Sequence, residues 1–219
     1  MHHIWSTLDE TVEVYVTDEL HSVLIQMERY FAVPDVRRAL EDKLHLTVFS
    51  NFHSYQSLLK QFDKVVEPRD HILHMDLVRG NVLFDVDTVS PWRIDDVSIS
   101  GIIDFEKAAT GHRVFDIART LAFLLVDCAS KDRSSIYRYF LHSGYNKRGK
   151  CSFERNETIV GIPAHEVLNK LIGFLLLHDL YKFLKHTPYE SLESNHHFIR
   201  TRDILIDYGM IRLVKTDKT

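Results

Sequence analysis

None of the chain's eight glycines precedes Gly80. The first 79 residues are therefore built without the one residue that adopts left-handed backbone at no steric cost. Tight hairpins are disfavoured there, and helices are not. Thr17-Asp18-Glu19 is a start signal ahead of LHSVLIQMERYFA, Pro34-Asp35 opens VRRALEDKLHL, and Ser50-Asn51 precedes FHSYQSLLKQFDKVV. Leu58, Leu59, Phe62 and Val65 recur at helical spacing and mark one face for a core. The run Thr11–Val16 is strand-like, a remnant of a sheet strand or a hinge.

Beyond residue 70 the pattern changes. Ile72-Leu73, Asn81–Phe84 and Val97–Ile103 are short, rich in β-branched residues and bounded by Asp, Ser, Pro and Gly. The last two read as a hairpin joined by DVDTVSPWRIDD, a polar loop containing Pro91. Helices return with DIARTLAFLLVDCA from Asp116 and with SSIYRYFLHSGY. The loop NKRGKCSFERNETIVGI then leads to a long helix, AHEVLNKLIGFLLLHDLYKFLKH. A final helix is expected from near Pro188 to about Gly209. The expected division is a helical segment over 1–70, then a hairpin and helical core of the same lobe over 71–219.

Charge and cysteine content narrow the function classes. Twenty-seven Lys+Arg against 31 Asp+Glu give a formal charge of −4, which argues against a general nucleic-acid binder. Cys128 and Cys151 cannot form a disulfide framework, which suits a reducing compartment. No basic stretch followed by an apolar one opens the chain, and the most apolar run, Leu171–Leu177, falls far short of a membrane span. The expectation is a cytoplasmic protein without a membrane or nucleic-acid partner.

The chemistry-bearing segment is HMDLVRGNVLF, residues 74–84. Its spacing places a carboxylate, Asp76, five residues ahead of an amide, Asn81, in a loop between two strands. A carboxylate within hydrogen-bond reach can take a proton from an attacking hydroxyl, and an amide oxygen can hold a metal on phosphates. Alone, this spacing is also common by chance. A second segment, ISGIIDFEKA over 99–108, puts Asp104 at the end of a β-branched strand, and a hairpin would bring it beside Asn81. Two hard oxygen ligands plus phosphate oxygens and water suit magnesium. His71, His74 and Asp76 also invite a metal-hydrolase reading, but that spacing puts the two histidines on opposite strand faces.

Together with GHRVFDIARTLAFLL (111–125), these segments resemble the aminoglycoside phosphotransferase/choline kinase-like family, small-molecule kinases with a protein-kinase-like fold. The resemblance implies Asp76 as catalytic base and Asn81 and Asp104 as magnesium ligands. His74, Asp116 and Arg79 then support the loop, and Leu83 and Ile103 face the nucleotide. Asp116 is also compatible with a simple helix N-cap. Arg79 suits either the transferring phosphoryl group or a carboxylate in the loop. Only 11 residues separate Asp104 from Asp116, too few for a protein kinase's activation segment, so the implied substrates are ATP and a small-molecule hydroxyl.

Family kinases carry a β-rich lobe ahead of this one, with a glycine loop over the phosphates and a strand lysine. Here Lys43, Lys60 and Lys64 fall in helix-like contexts that read as solvated surface. The sequence therefore reads as a C-terminal lobe whose N-terminal lobe is missing. It is expected to be a weak kinase or, alternatively, a non-catalytic binding module. The expected fold is α+β, mainly α, a helical lobe with a small β-hairpin at the site.

Overall fold

A computed structural model describes residues 14–49, 51–64, 71–90, 93–146 and 157–214. The architecture is α+β, mainly α. Three helices come first: α1 (Val16–Ala32), α2 (Pro34–Leu44) and α3 (Phe52–Asp63), with the short strand β1 (Leu46–Val48) between the last two. The starts of α2 and α3 follow the sequence signals, whereas α1 begins at Val16, ahead of the Thr17-Asp18-Glu19 signal and with no side-chain cap. Pro34 occupies the first turn of α2, where its missing N–H is not needed, and the Asn51 side chain accepts the Ser54 N–H to cap α3. Leu58, Leu59 and Phe62 are buried, while Val65 lies outside the described residues. Of the run 11–16, residues 11–13 are also outside. Tyr15 makes a single parallel bridge to Thr110, and Val16 already begins α1.

The described residues form four antiparallel strand pairs. β2 (His71–Leu73) pairs with β5 (Ala109–Gly111), β3 (Val82–Ser90) with β4 (Arg93–Ile102), β6 (Thr158–Ile159) with β7 (Ile162–Pro163), and β1 with β8 (Ile211–Leu213). The stretch expected as a polar loop, DVDTVSPWRIDD, is mostly strand. β3 continues to Ser90 and β4 resumes at Arg93, because a paired ladder satisfies the backbone whatever the side-chain polarity. At its other end the hairpin starts later than expected: Asn81 closes a 3₁₀ turn, Arg79–Asn81, and the strand begins at Val82.

The C-terminal half is helical: α4 (Val114–Asp127), α5 (Arg133–Ile136) running into a π-type stretch Tyr137–Tyr145, α6 (Ala164–His186), α7 (Tyr189–Leu192) and α8 (His196–Asp207). The expected helix from Pro188 to Gly209 is thus two helices, divided at 193–195, where Asn195 accepts the Phe198 N–H and restarts the turn. α6 is the axis of the core. Leu168, Leu171, Ile172, Leu175, Leu176 and Leu180 are all essentially inaccessible, as expected of a helix apolar on nearly every side. Cys128 is half-buried against the core, one residue past the end of α4.

Gly111 fixes how α1 meets the β2–β5 pair. A Cβ there would overlap Cγ1 of the fully buried Val16. Gly111→Ala is therefore expected to destabilise the fold by about 1–3 kcal/mol through overpacking, read by urea unfolding. A change within the error of the measurement would mean that α1 yields.

Candidate active site

Leaving β2 at Leu73, the chain enters a loop whose backbone is held from behind. The Asp116 carboxylate accepts the His74 N–H at 3.2 Å and the Met75 N–H at 2.8 Å. Met75 between them has φ 58°, a left-handed conformation that methionine seldom adopts. Asp116 is 2% exposed and lies in the third position of α4, after Val114 and Phe115. The simple N-cap reading of it is corrected: Arg113 precedes the helix, and the Asp116 carboxylate ties down loop residues 41 and 42 positions earlier in the chain.

His74 is wholly buried and joins the two halves of the site. Its Nδ1 accepts the Asp76 N–H at 3.3 Å, so Nε2 carries the proton donated to the Ile103 carbonyl, 2.9 Å away. Phe105 packs against its ring with centroids 4.8 Å apart. The imidazole thus links the loop before Asp76 to the backbone before Asp104.

Asn81 completes the junction. Its Nδ2 donates to the Asp76 carbonyl at 2.9 Å and lies 3.4 Å from Asp104 Oδ2, while the Ile103 N–H bonds to the Asn81 carbonyl at 3.0 Å. Asp104 is exposed, with φ 66°. Two non-glycine residues in left-handed backbone therefore flank one small region, the kind of local strain that persists where surrounding bonds overdetermine it. The Asp76 side chain is 12% exposed, and the Lys107 ammonium sits on its Oδ2 at 2.5 Å.

The structure brings together Asp76, Asn81, Asp104, His74 and Asp116. Leu83 and Ile103 lie beside them, each nearly half exposed, as are Phe84 and Phe105, so an apolar surface adjoins the polar cluster. Arg79 is exposed and makes no hydrogen bond or ion pair among the described residues. No three His, Cys, Asp or Glu side chains converge as a metal cluster among them either. A separate cavity of about 550 Å³, lined by Phe31, Leu40, Leu46 and Phe52, shares no residue with this site.

Between Asp104 and Asp116 the chain makes only a tight turn, with the Ala108 N–H on the Phe105 carbonyl, and the short strand β5 before α4 begins. With this geometry in place, comparison with known families gives one result. The model of the phosphotransferase enzyme family matches residues 16–144. The chain belongs to that family. No curated protein and no solved structure gave a match. The phosphotransferase match covers the whole polar cluster but stops short of α6, the longest described helix.

Sequence reasoning missed the cations near this site. Lys107 follows Asp104 by three residues, inside the quoted motif, yet nothing in its spacing points to Asp76. Further along, Arg119 of α4 forms a two-pronged ion pair with Asp179 of α6, at 2.8 and 3.0 Å, and lies over the Phe123 ring at 4.1 Å. Lys182, one turn on, reaches Asp179 only at 3.9 Å. Burial is the largest influence on the Lys182 ammonium and lowers its pKa; Asp179 opposes that, and the charges of Arg119 and Lys107 add to it. Burial, with Lys182 close by, brings His178 down to about 4, so its ring is neutral at pH 7.

Proposed function

We propose that this phosphotransferase is a magnesium-dependent kinase that moves the γ-phosphoryl group of ATP to a hydroxyl of a small molecule. The observation that carries it is the junction at Asn81, whose side chain touches the Asp76 carbonyl and the Asp104 carboxylate at once. Asp104 is exposed and Asn81 partly so, and a carboxylate with an amide oxygen is the donor set that suits an ion completing its shell with phosphate oxygens and water. They would hold magnesium, which when bound supplies charge neutralisation for the triphosphate.

The chain's own residues do the rest. Asp76 accepts the acceptor hydroxyl's proton at its carboxylate, and Lys107 and the loop backbone orient that carboxylate. His74 and Asp116 fix the loop, so that little reorganisation is needed during transfer. Leu83 and Ile103 offer apolar surface for the adenine ring. The reading requires a compartment supplied with ATP and magnesium, and we place the protein in the cytoplasm.

The test is calorimetric titration with ATP, with and without magnesium, on wild type and Asp104→Gly. Glycine is at ease at φ 66°, so the variant is expected to keep its unfolding free energy within about 1 kcal/mol. Magnesium-dependent nucleotide binding should disappear. Binding that survives the substitution unchanged would remove Asp104 from the metal site. One observation favours a second reading, a non-catalytic binding module. The described residues ahead of β2 are helices plus one three-residue strand, with Lys43 on Glu190 and Lys60 exposed on α3. A wild-type chain that binds no nucleotide in either condition would support that second reading.

A further inference from the structure

β2 and β5 pair antiparallel with Leu73 opposite Ala109, so the loop after β2 and the turn before β5 leave the ribbon at the same end. The loop carries Asp76, and the turn, closed by the Ala108 N–H on the Phe105 carbonyl, carries Lys107. The Lys107 ammonium lies 2.5 Å from Asp76 Oδ2, and among the described residues it pairs with no other carboxylate. Its neighbours Asp104 and Glu106 are exposed to water. Arg79, the cation that the loop sequence offers for a phosphoryl group, forms no bond to Asp76 among the described residues.

An ammonium has three N–H donors, and Lys107 uses one on Asp76. Its side chain is 47% exposed, so the remaining donors are open to a ligand. Asp76 Oδ1 accepts no hydrogen bond among the described residues. One carboxylate thus offers an acceptor hydroxyl a place on Oδ1 beside a cation on Oδ2. We propose that Lys107 is a catalytic residue, which binds the γ-phosphoryl group of ATP while it holds Asp76. This rests on the phosphotransfer reading above. A phosphoryl group that approaches a hydroxyl on Oδ1 also approaches the ammonium on Oδ2. The acceptor oxygen bonds to the γ-phosphorus and its proton passes to Asp76. The bond to the bridging oxygen breaks, and its electron pair leaves with ADP. Lys107 keeps its protons throughout and stabilises charge on the phosphoryl oxygens. Asp76 and the triphosphate are both anionic, and a cation between them also lessens their repulsion.

The test is calorimetric titration of the full chain, with magnesium, against ADP and the non-hydrolysable ATP analogue AMP-PNP, which differ in the γ-phosphoryl group. Wild type is expected to bind AMP-PNP at least about tenfold more tightly than ADP. Lys107→Met and Lys107→Gln should each lower that ratio about tenfold, with ADP affinity held within about twofold, and Lys107→Arg should keep it. The same comparison in an Asp76→Asn background separates contact from positioning. No carboxylate remains there to be oriented or to repel the phosphate, and Lys107→Met should still lower the ratio about tenfold. Position 107 lies on an exposed turn, and thermal midpoints show that each variant is folded. The proposal is overturned if wild type binds both nucleotides equally, if the ratio survives loss of Lys107, or if it falls only where Asp76 is intact. Its failure is separable from that of the kinase reading. An unmoved ratio with intact magnesium-dependent binding of both nucleotides refutes only the role of Lys107, whereas a wild-type chain that binds neither nucleotide refutes both.

Discussion

Asp116→Ala is expected to destabilise the protein by roughly 2–4 kcal/mol, because it leaves two buried amides, those of His74 and Met75, without their acceptor. Charge-assisted bonds of this kind exceed neutral ones, and the favourable position of a carboxylate in the first turn of α4 is lost with them. Asp116→Asn keeps one acceptor oxygen and should fall between the two. The measurement is urea unfolding at neutral pH. A loss below about 0.5 kcal/mol would show that other groups satisfy those amides. The functional corollary follows from Met75: its left-handed backbone is held by these bonds, so Asp76 should lose its position together with the stability.

Arg119→Met is expected to cost about 3–5 kcal/mol, since it strands Asp179 in a mostly buried setting where Lys182, at 3.9 Å, is its other ion-pair partner among the described residues. The double replacement Arg119→Met/Asp179→Leu removes both charges and should return most of that loss, to within about 1 kcal/mol of wild type. A double-mutant cycle by denaturant unfolding checks this. Additive losses would mean that the pair does not act as a unit across α4 and α6.

Local signals were legible in the sequence, and spatial ones were not. Pro34 and Asn51 announce α2 and α3 because capping is decided within one turn of chain. The HMDLVRGN loop is legible for the same reason: a carboxylate and an amide five residues apart are constrained by the loop alone. Asp104 required only the hairpin to be inferred. Lys107 reaching back 31 residues to Asp76 depends on the β2–β5 pairing, and Arg119 reaching 60 residues on to Asp179 on how two helices pack, and no spacing encodes either. The left-handed backbone at Met75 has no compositional marker either, since only the surrounding bonds enforce it. The extension of β3 and β4 was hidden by their aspartates, which argue for a loop until a partner strand is present.

Because Leu46 pairs with Leu213, the β1–β8 ribbon cannot form until the chain has been synthesised through residue 213. The helical contacts of α1, α2 and α3 are local and are available early, whereas this pairing closes a very long loop. Until it closes, Leu46 and Ile211, both fully covered in the finished fold, remain exposed on separate ends of an incomplete core. β8 is thus a kinetic latch. Its pairing covers Leu46 and Ile211 and so removes one apolar surface through which the nascent protein can aggregate.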